Sequence, residues 1–176
     1  MKTISIHSSR GGTGKTVIAT NLACILASRG LKVALLDVDF RAPSLSTIFS
    51  NALNSQVKYW LNDFLNGKCK EEQVLIDVTN SYRLKGKLQV GLANPSIQGI
   101  NDVTEKSRAW EVTAVKKLFS LLSSFNNMQM DYCIFDTSPG VQLSSVNALA
   151  SSDLCLIVMN CDLVDLEGTK NMLKDI

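Results

Sequence analysis

Residues 9–16 read S-R-G-G-T-G-K-T, a spacing of glycines, lysine and threonine suited to holding phosphate. Gly11, Gly12 and Gly14 permit positive φ and let phosphate oxygens come close to the backbone. The N–H groups of such a turn converge on an anion, and a helix that starts directly after it adds its positive end. Lys15 is set to reach the β- and γ-phosphates, and Thr16 to give a hydroxyl to Mg²⁺. Gly11, Gly12, Thr13, Gly14, Lys15, Thr16 and Val17 are the expected nucleotide-binding residues, with ATP and Mg²⁺ as the expected ligands. The strict pattern has glycine at the first position, where this chain has Ser9.

Two further stretches carry acids after apolar runs: Asp37-Val38-Asp39 and Asp136-Thr137-Ser138-Pro139-Gly140. In open α/β sheets, ligands sit at the carboxyl ends of the strands. Asp136 is the natural acid for the metal shell, usually acting through water, and Asp37 is placed to support it. Asp39 is placed to orient an attacking water; its alternative is a turn or capping acid before Ala42-Pro43-Ser44. Gly140 reads either as a hinge that senses the γ-phosphate or as plain turn chemistry after Pro139.

A phosphate-binding turn of this kind needs a strand before it and a helix after it. Residues 2–7 read as the strand. Residues 16–29 read as the helix, with Val17, Ile18, Asn21, Leu22, Ile25 and Leu26 at helical spacing and Gly30 as its stop. Residues 31–37 form a continuous apolar run ending in an acid, which suits a strand covered on both faces. Residues 44–49, 57–65, 71–78, 104–125 and 141–150 read as helices, 88–93, 131–136 and 154–160 as strands, and 164–176 as a last helix. The alternation predicts an α/β fold, a doubly wound and predominantly parallel sheet with helices on both faces, as in P-loop NTPases. The expectation is a single domain over residues 1–176, truncated at the C-terminal side, because Ile176 falls where a helix should lead into another strand.

Composition narrows the class. The 176 residues are 45% hydrophobic and 19% charged, which excludes a disordered chain. A net charge of +2 and the lack of a basic run give no bulk attraction for nucleic acid. The apolar stretches are far short of a membrane span. Five cysteines form no C-x-x-C pair, and Cys24, Cys133 and Cys155 lie in apolar stretches, where burial is expected. An odd count without a secretory signal favours a reducing, cytoplasmic setting. His7, Trp60 and Trp110 read as packing residues.

In chain order, S-R-G-G-T-G-K-T, L-L-D-V-D-F-R-A-P-S-L and I-F-D-T-S-P-G together resemble the MinD/ParA group of deviant Walker A ATPases, over essentially the whole chain. The resemblance implies an ATP-dependent homodimer that sandwiches two nucleotides and slow hydrolysis stimulated by a protein activator. It further implies a role in intracellular positioning or in DNA or plasmid partition. DNA or membrane association would then come only through the dimer or through a region beyond Ile176. The family's loop opens with a signature lysine that crosses to the partner's phosphates; Arg10 stands at that position here. It has two readings: an arginine finger in trans, catalytic together with Lys15 and Asp39, or a salt-bridged surface residue. Two other functions stay open on the same fold. One is an iron–sulfur or metal-insertion ATPase, whose relatives usually carry a C-x-x-C pair late in the chain. The other is a nucleotide-binding module without turnover, against which Asp39 and Lys15 speak. Residues 163–176 read as a core-facing helix, not a membrane anchor.

Overall fold

Val33 and Leu35 turn to one face of a sheet and Ala34, Leu36 and Val38 to the other, and all five are buried. The continuous apolar run follows from that geometry, since a strand covered on both faces has no solvent side to make polar. The computed structural model describes residues 1–53 and 57–175. The strands are β1 (Lys2–His7), β2 (Lys32–Val38), β3 (Leu75–Asp77), β4 (Lys87–Gly91), β5 (Tyr132–Thr137) and β6 (Leu154–Ile157). They form one sheet in the order β3-β4-β2-β5-β1-β6, parallel throughout except where β3 pairs with β4. The helices are α1 (Lys15–Ser28), α2 (Leu45–Ile48), α3 (Leu61–Leu65), α4 (Ile97–Thr104), α5 (Arg108–Asn127), α6 (Leu143–Ala150) and α7 (Leu163–Asp175). One apolar layer packs α1 against the sheet; the other packs α3 and α5 against the opposite face. The predicted doubly wound fold is the observed one.

Several local expectations are corrected. Residues 71–78 are not a helix: a 3₁₀ turn at Glu71–Gln73 leads into β3, the antiparallel edge strand. Residues 57–65 are helical only from Leu61, whose N–H is drawn to the carbonyl of Leu92 at 2.7 Å. The long helix expected at 104–125 is α5; it begins only at Arg108, because Ser107 accepts from the N–H of Trp110 and caps it. Helix α4 has no counterpart among the expected elements. Helix α1 turns its alanines fully inward: Ala19, Ala23 and Ala27 face the sheet, Leu22 and Leu26 are half-buried, and Val17, Ile18 and Ile25 are exposed. Small side chains let the helix lie close to the strands. Helix α7 likewise buries Asp165, Thr169 and Met172 and leaves Leu163, Val164, Leu166 and Leu173 exposed; Ile176 lies outside the described residues. Cys133 is buried and Cys24 half-buried, but Cys155 is exposed because β6 is the other edge of the sheet. Trp60 and Trp110 are half-buried against the two apolar layers.

Candidate functional site

Strand β1 runs directly into the glycine turn, and α1 begins at Lys15 with Gly14 as its N-cap. Gly12 (φ 79°) and Gly14 (φ 95°) take the left-handed conformation that glycine tolerates best. Ser9 does not, so its departure from the strict pattern carries no backbone strain. Its side chain turns instead to α7, where its hydroxyl meets that of Thr169 at 3.2 Å and Gly168 leaves it room.

Lys15 is almost fully buried, and its Nζ donates to Ser8 Oγ at 2.8 Å and, at 3.5 Å, to the carbonyl of Arg10. Burial lowers its pKa, while Asp136 and Asp39 act in the opposite direction. The cation is therefore held by neutral oxygens under the turn, beside two acids that favour its charge.

Register places Asp37 of β2 directly opposite Asp136 of β5. The two acids differ in what they hold. Asp37 Oδ1 accepts from the N–H of Asp39, and Oδ2 from the N–H groups of Ser44 and Leu45, each at 3.2 Å. It ties down the loop at residues 39–45. Burial, with Asp136 beside it, raises its pKa well above the ordinary carboxylate range. Asp136 is also buried, but neither oxygen has a hydrogen-bond partner within 3.5 Å. Burial lifts its pKa to about 6, although the nearby Thr16 hydroxyl favours the ionised form. Asp39 accepts from Ser138 Oγ at 2.8 Å and from the N–H of Ala42 at 3.1 Å. It closes a turn and borders the cleft at once.

The cleft has a volume of about 690 Å³. Gly11, Gly12, Gly14, Lys15, Thr16, Val17 and Asp39 line it, as expected, with Thr13 beside them carrying a buried hydroxyl that has no partner. Arg10 does not line it. Its guanidinium lies 3.7 Å from the buried carboxylate of Asp165 on α7, so the salt-bridged reading of Arg10 is the arrangement within this chain. Seven lining residues were not expected as site residues: Arg41, Ala42, Ser44, Ser138, Pro139, Ile48 and Gln142. The first five sit inside motifs already noted; Ile48 and Gln142 carried no signal.

Unpartnered buried oxygens on Asp136 and a half-buried Thr16 hydroxyl fit a hard divalent cation that keeps waters and shares phosphate oxygens. Among the described residues no three His, Cys, Asp or Glu side chains cluster to enclose a metal by themselves. That is the donor set expected when a nucleotide completes the shell.

His7 is buried behind the turn. Thr137 Oγ1 donates to the carbonyl of Ile6 at 2.8 Å, so it accepts from His7 Nδ1–H at 2.7 Å. Burial, then Lys15, lowers the imidazole pKa to about 4. It stays neutral and ties β1 to the end of β5, the packing role expected of it.

A family described as an AAA domain matches residues 1–176. The septum site-determining protein MinD of Thermotoga maritima is 29% identical over 163 residues, covering 91% of this chain and 52% of that protein. The sporulation initiation inhibitor protein Soj of Bacillus subtilis is 27% identical over 175 residues, covering 99% of this chain and 64% of Soj. MinD of Pyrococcus horikoshii, solved with Mg-ADP, superposes with a TM-score of 0.75 at 24% identity, covering 99% of this chain and 65% of that one. A plasmid partition protein of Borrelia burgdorferi, solved with AMPPNP, gives 0.77 at 24% identity, with 99% and 68% covered. This chain thus spans about half to two-thirds of the length of these curated relatives. It belongs to the AAA domain family and is similar to proteins of the MinD/ParA type.

Proposed function

We propose that this chain binds ATP with Mg²⁺ in the cleft and hydrolyses it slowly as a dimerisation switch in intracellular positioning or DNA partition. The observation that carries this reading is the set of buried polar groups without partners around the cleft. The Thr13 hydroxyl and both oxygens of Asp136 have none, and Lys15 is held only by neutral oxygens. Buried polar groups left so are costly unless a ligand satisfies them. The relatives support it: one is solved with Mg-ADP, another with AMPPNP, and MinD of Aquifex aeolicus is solved in complex with MinC.

In this reading the N–H groups of residues 11–16 and the positive end of α1 grip the phosphates. Lys15 leaves Ser8 for the β- and γ-phosphate oxygens. Thr16 and Asp136 hold the Mg²⁺ site, and a bound Mg²⁺ would neutralise charge as it develops on the phosphates. Asp39 orients the attacking water. Arg10 leaves Asp165 and crosses to the nucleotide of a second copy, and a protein activator reads the closed state. The setting is the cytoplasm; among the described residues no helix is long and apolar enough to cross a membrane.

The test is calorimetric titration with Mg-ATPγS alongside an ATP turnover assay. Lys15→Ala should weaken binding by ~100-fold, since a buried cation on phosphate forms charge-assisted hydrogen bonds. Wild-type affinity in that variant would refute the phosphate grip. Tight binding with no turnover, alone or as a dimer, would reduce the chain to a nucleotide-binding module.

A further inference from the structure

The cleft presents a second cation that is not the arginine of the glycine turn. We infer that Arg41 is a nucleotide-contacting residue, its guanidinium bound to the γ-phosphate within the same chain; this rests on the reading that the cleft holds ATP.

Arg41 follows Asp39 by two residues, and its backbone is fixed from both sides. Before it, Val38 and Phe40 are buried in the apolar layer under α3 and α5. After it, the N–H of Ala42 is held by Asp39, and those of Ser44 and Leu45 by the buried Asp37. The exposed side chain therefore starts from a fixed point on the cleft wall. It lines the cleft opposite Gly11, Gly12 and Lys15. It also borders a smaller hollow of about 100 Å³ floored by Phe40 and Trp110. An arginine can rest its stem on such an apolar floor while its charged head stays mobile in water.

The other cations near the turn already have their places. Arg10 is drawn to Asp165 and is absent from the cleft wall. Lys15 lies at the floor. Among the described residues no carboxylate comes within 4.0 Å of the Arg41 guanidinium. Charge makes the need plain. A nucleoside triphosphate with one Mg²⁺ carries a net charge of about −2, and Lys15 offsets only half of it. Asp39 and Asp136 add further negative charge at the same end of the cleft. Before a second copy docks, the rest must be offset from within the chain, and a planar guanidinium suits paired non-bridging oxygens. Because its loop carries Asp39 and is latched to Ser138, Arg41 belongs at the γ end, where its loss should discriminate triphosphate from diphosphate.

The experiment is titration of wild type, Arg41→Ala, Arg41→Lys and Lys15→Ala with Mg-ATPγS and with Mg-ADP. Arg41→Ala should bind ATPγS ~10-fold more weakly and change ADP affinity by less than ~3-fold, with Arg41→Lys between it and wild type. If Arg41→Ala binds ATPγS like wild type while Lys15→Ala loses both nucleotides, the cleft holds ATP and the assignment of Arg41 is wrong. Equal loss of ATPγS and ADP in Arg41→Ala would likewise overturn its place at the γ-phosphate. A wild-type chain that binds neither nucleotide would overturn both the reading of the cleft and the inference.

Discussion

Replacing Asp136 by asparagine should make the nucleotide-free protein more stable, by an amount that depends on pH. The carboxyl is buried, neither oxygen has a donor, and burial lifts its pKa from 3.8 to about 6. That difference corresponds to about 3 kcal/mol spent on keeping the folded carboxylate ionised. The sign follows from proton binding. Between pH 3.8 and 6 the folded state keeps a proton that the unfolded state has lost, so stability falls as pH rises through this window. Below it both states are protonated and the cost is absent; above it the cost is complete. The substituted amide is neutral throughout. Asp136→Asn should therefore match wild type near pH 3.5 and exceed it by about 3 kcal/mol at pH 7.5. Relief of Asp37, whose pKa Asp136 also raises, acts in the same direction. Urea unfolding across this pH range, with EDTA present, measures the difference directly. The same variant should lose the Mg²⁺-dependent part of its ATPγS affinity, the trade expected of a site that stores instability for function. A variant less stable than wild type at pH 7.5, or a difference that does not vary with pH, would refute the reasoning.

Three other outcomes are expected. Ser138→Ala removes the hydroxyl that donates to Asp39; turnover should fall ~10-fold with ATPγS affinity unchanged, and the change should have no effect when added to Asp39→Asn. An additive effect in that double variant would show that Ser138 acts independently of Asp39. Arg10→Ala should bind ATP as a monomer yet form no ATP-dependent dimer by light scattering; a normal dimer would leave Arg10 only its pair with Asp165. Gly14→Ala forces a side chain onto φ 95° with nothing nearby to clash. Strain of ~1–2 kcal/mol should lower the melting temperature by ~3–6 °C, and an unchanged value would mean that the turn relaxes freely.

Elements with strong local signals were readable in advance. The strand at residues 2–7, the glycine turn and the apolar runs ending at Asp37 and Asp136 are local in sequence, and the structure places them where expected. The three-residue strand β3 is too short to carry a period, and it exists because β4 offers it an edge. The start of α5 at Arg108, later than the apolar spacing suggests, turns on one serine cap at Ser107. Helical spacing announced an apolar face on α1 but not its direction. The sheet selects the alanines because they permit close approach, and that choice follows from the distance between layers.

The identity of the phosphate-binding turn was determined by the sequence alone, since backbone conformation at Gly12 and Gly14 and the reach of Lys15 depend on neighbours in the chain. The family followed from the order of three motifs. Tertiary structure alone decided which like residues do unlike things. Asp37 and Asp136 both end buried strands, yet one has its oxygens engaged by the loop at residues 39–45 and the other has none of its own satisfied. Arg10 and Arg41 both sit in motifs. A buried acid on α7, far along the chain, draws the first aside, and a loop anchored by Asp37 and Phe40 leaves the second on the cleft wall. Such distinctions rest on long-range contacts, which residue type and spacing do not encode until the sheet brings the strand ends together.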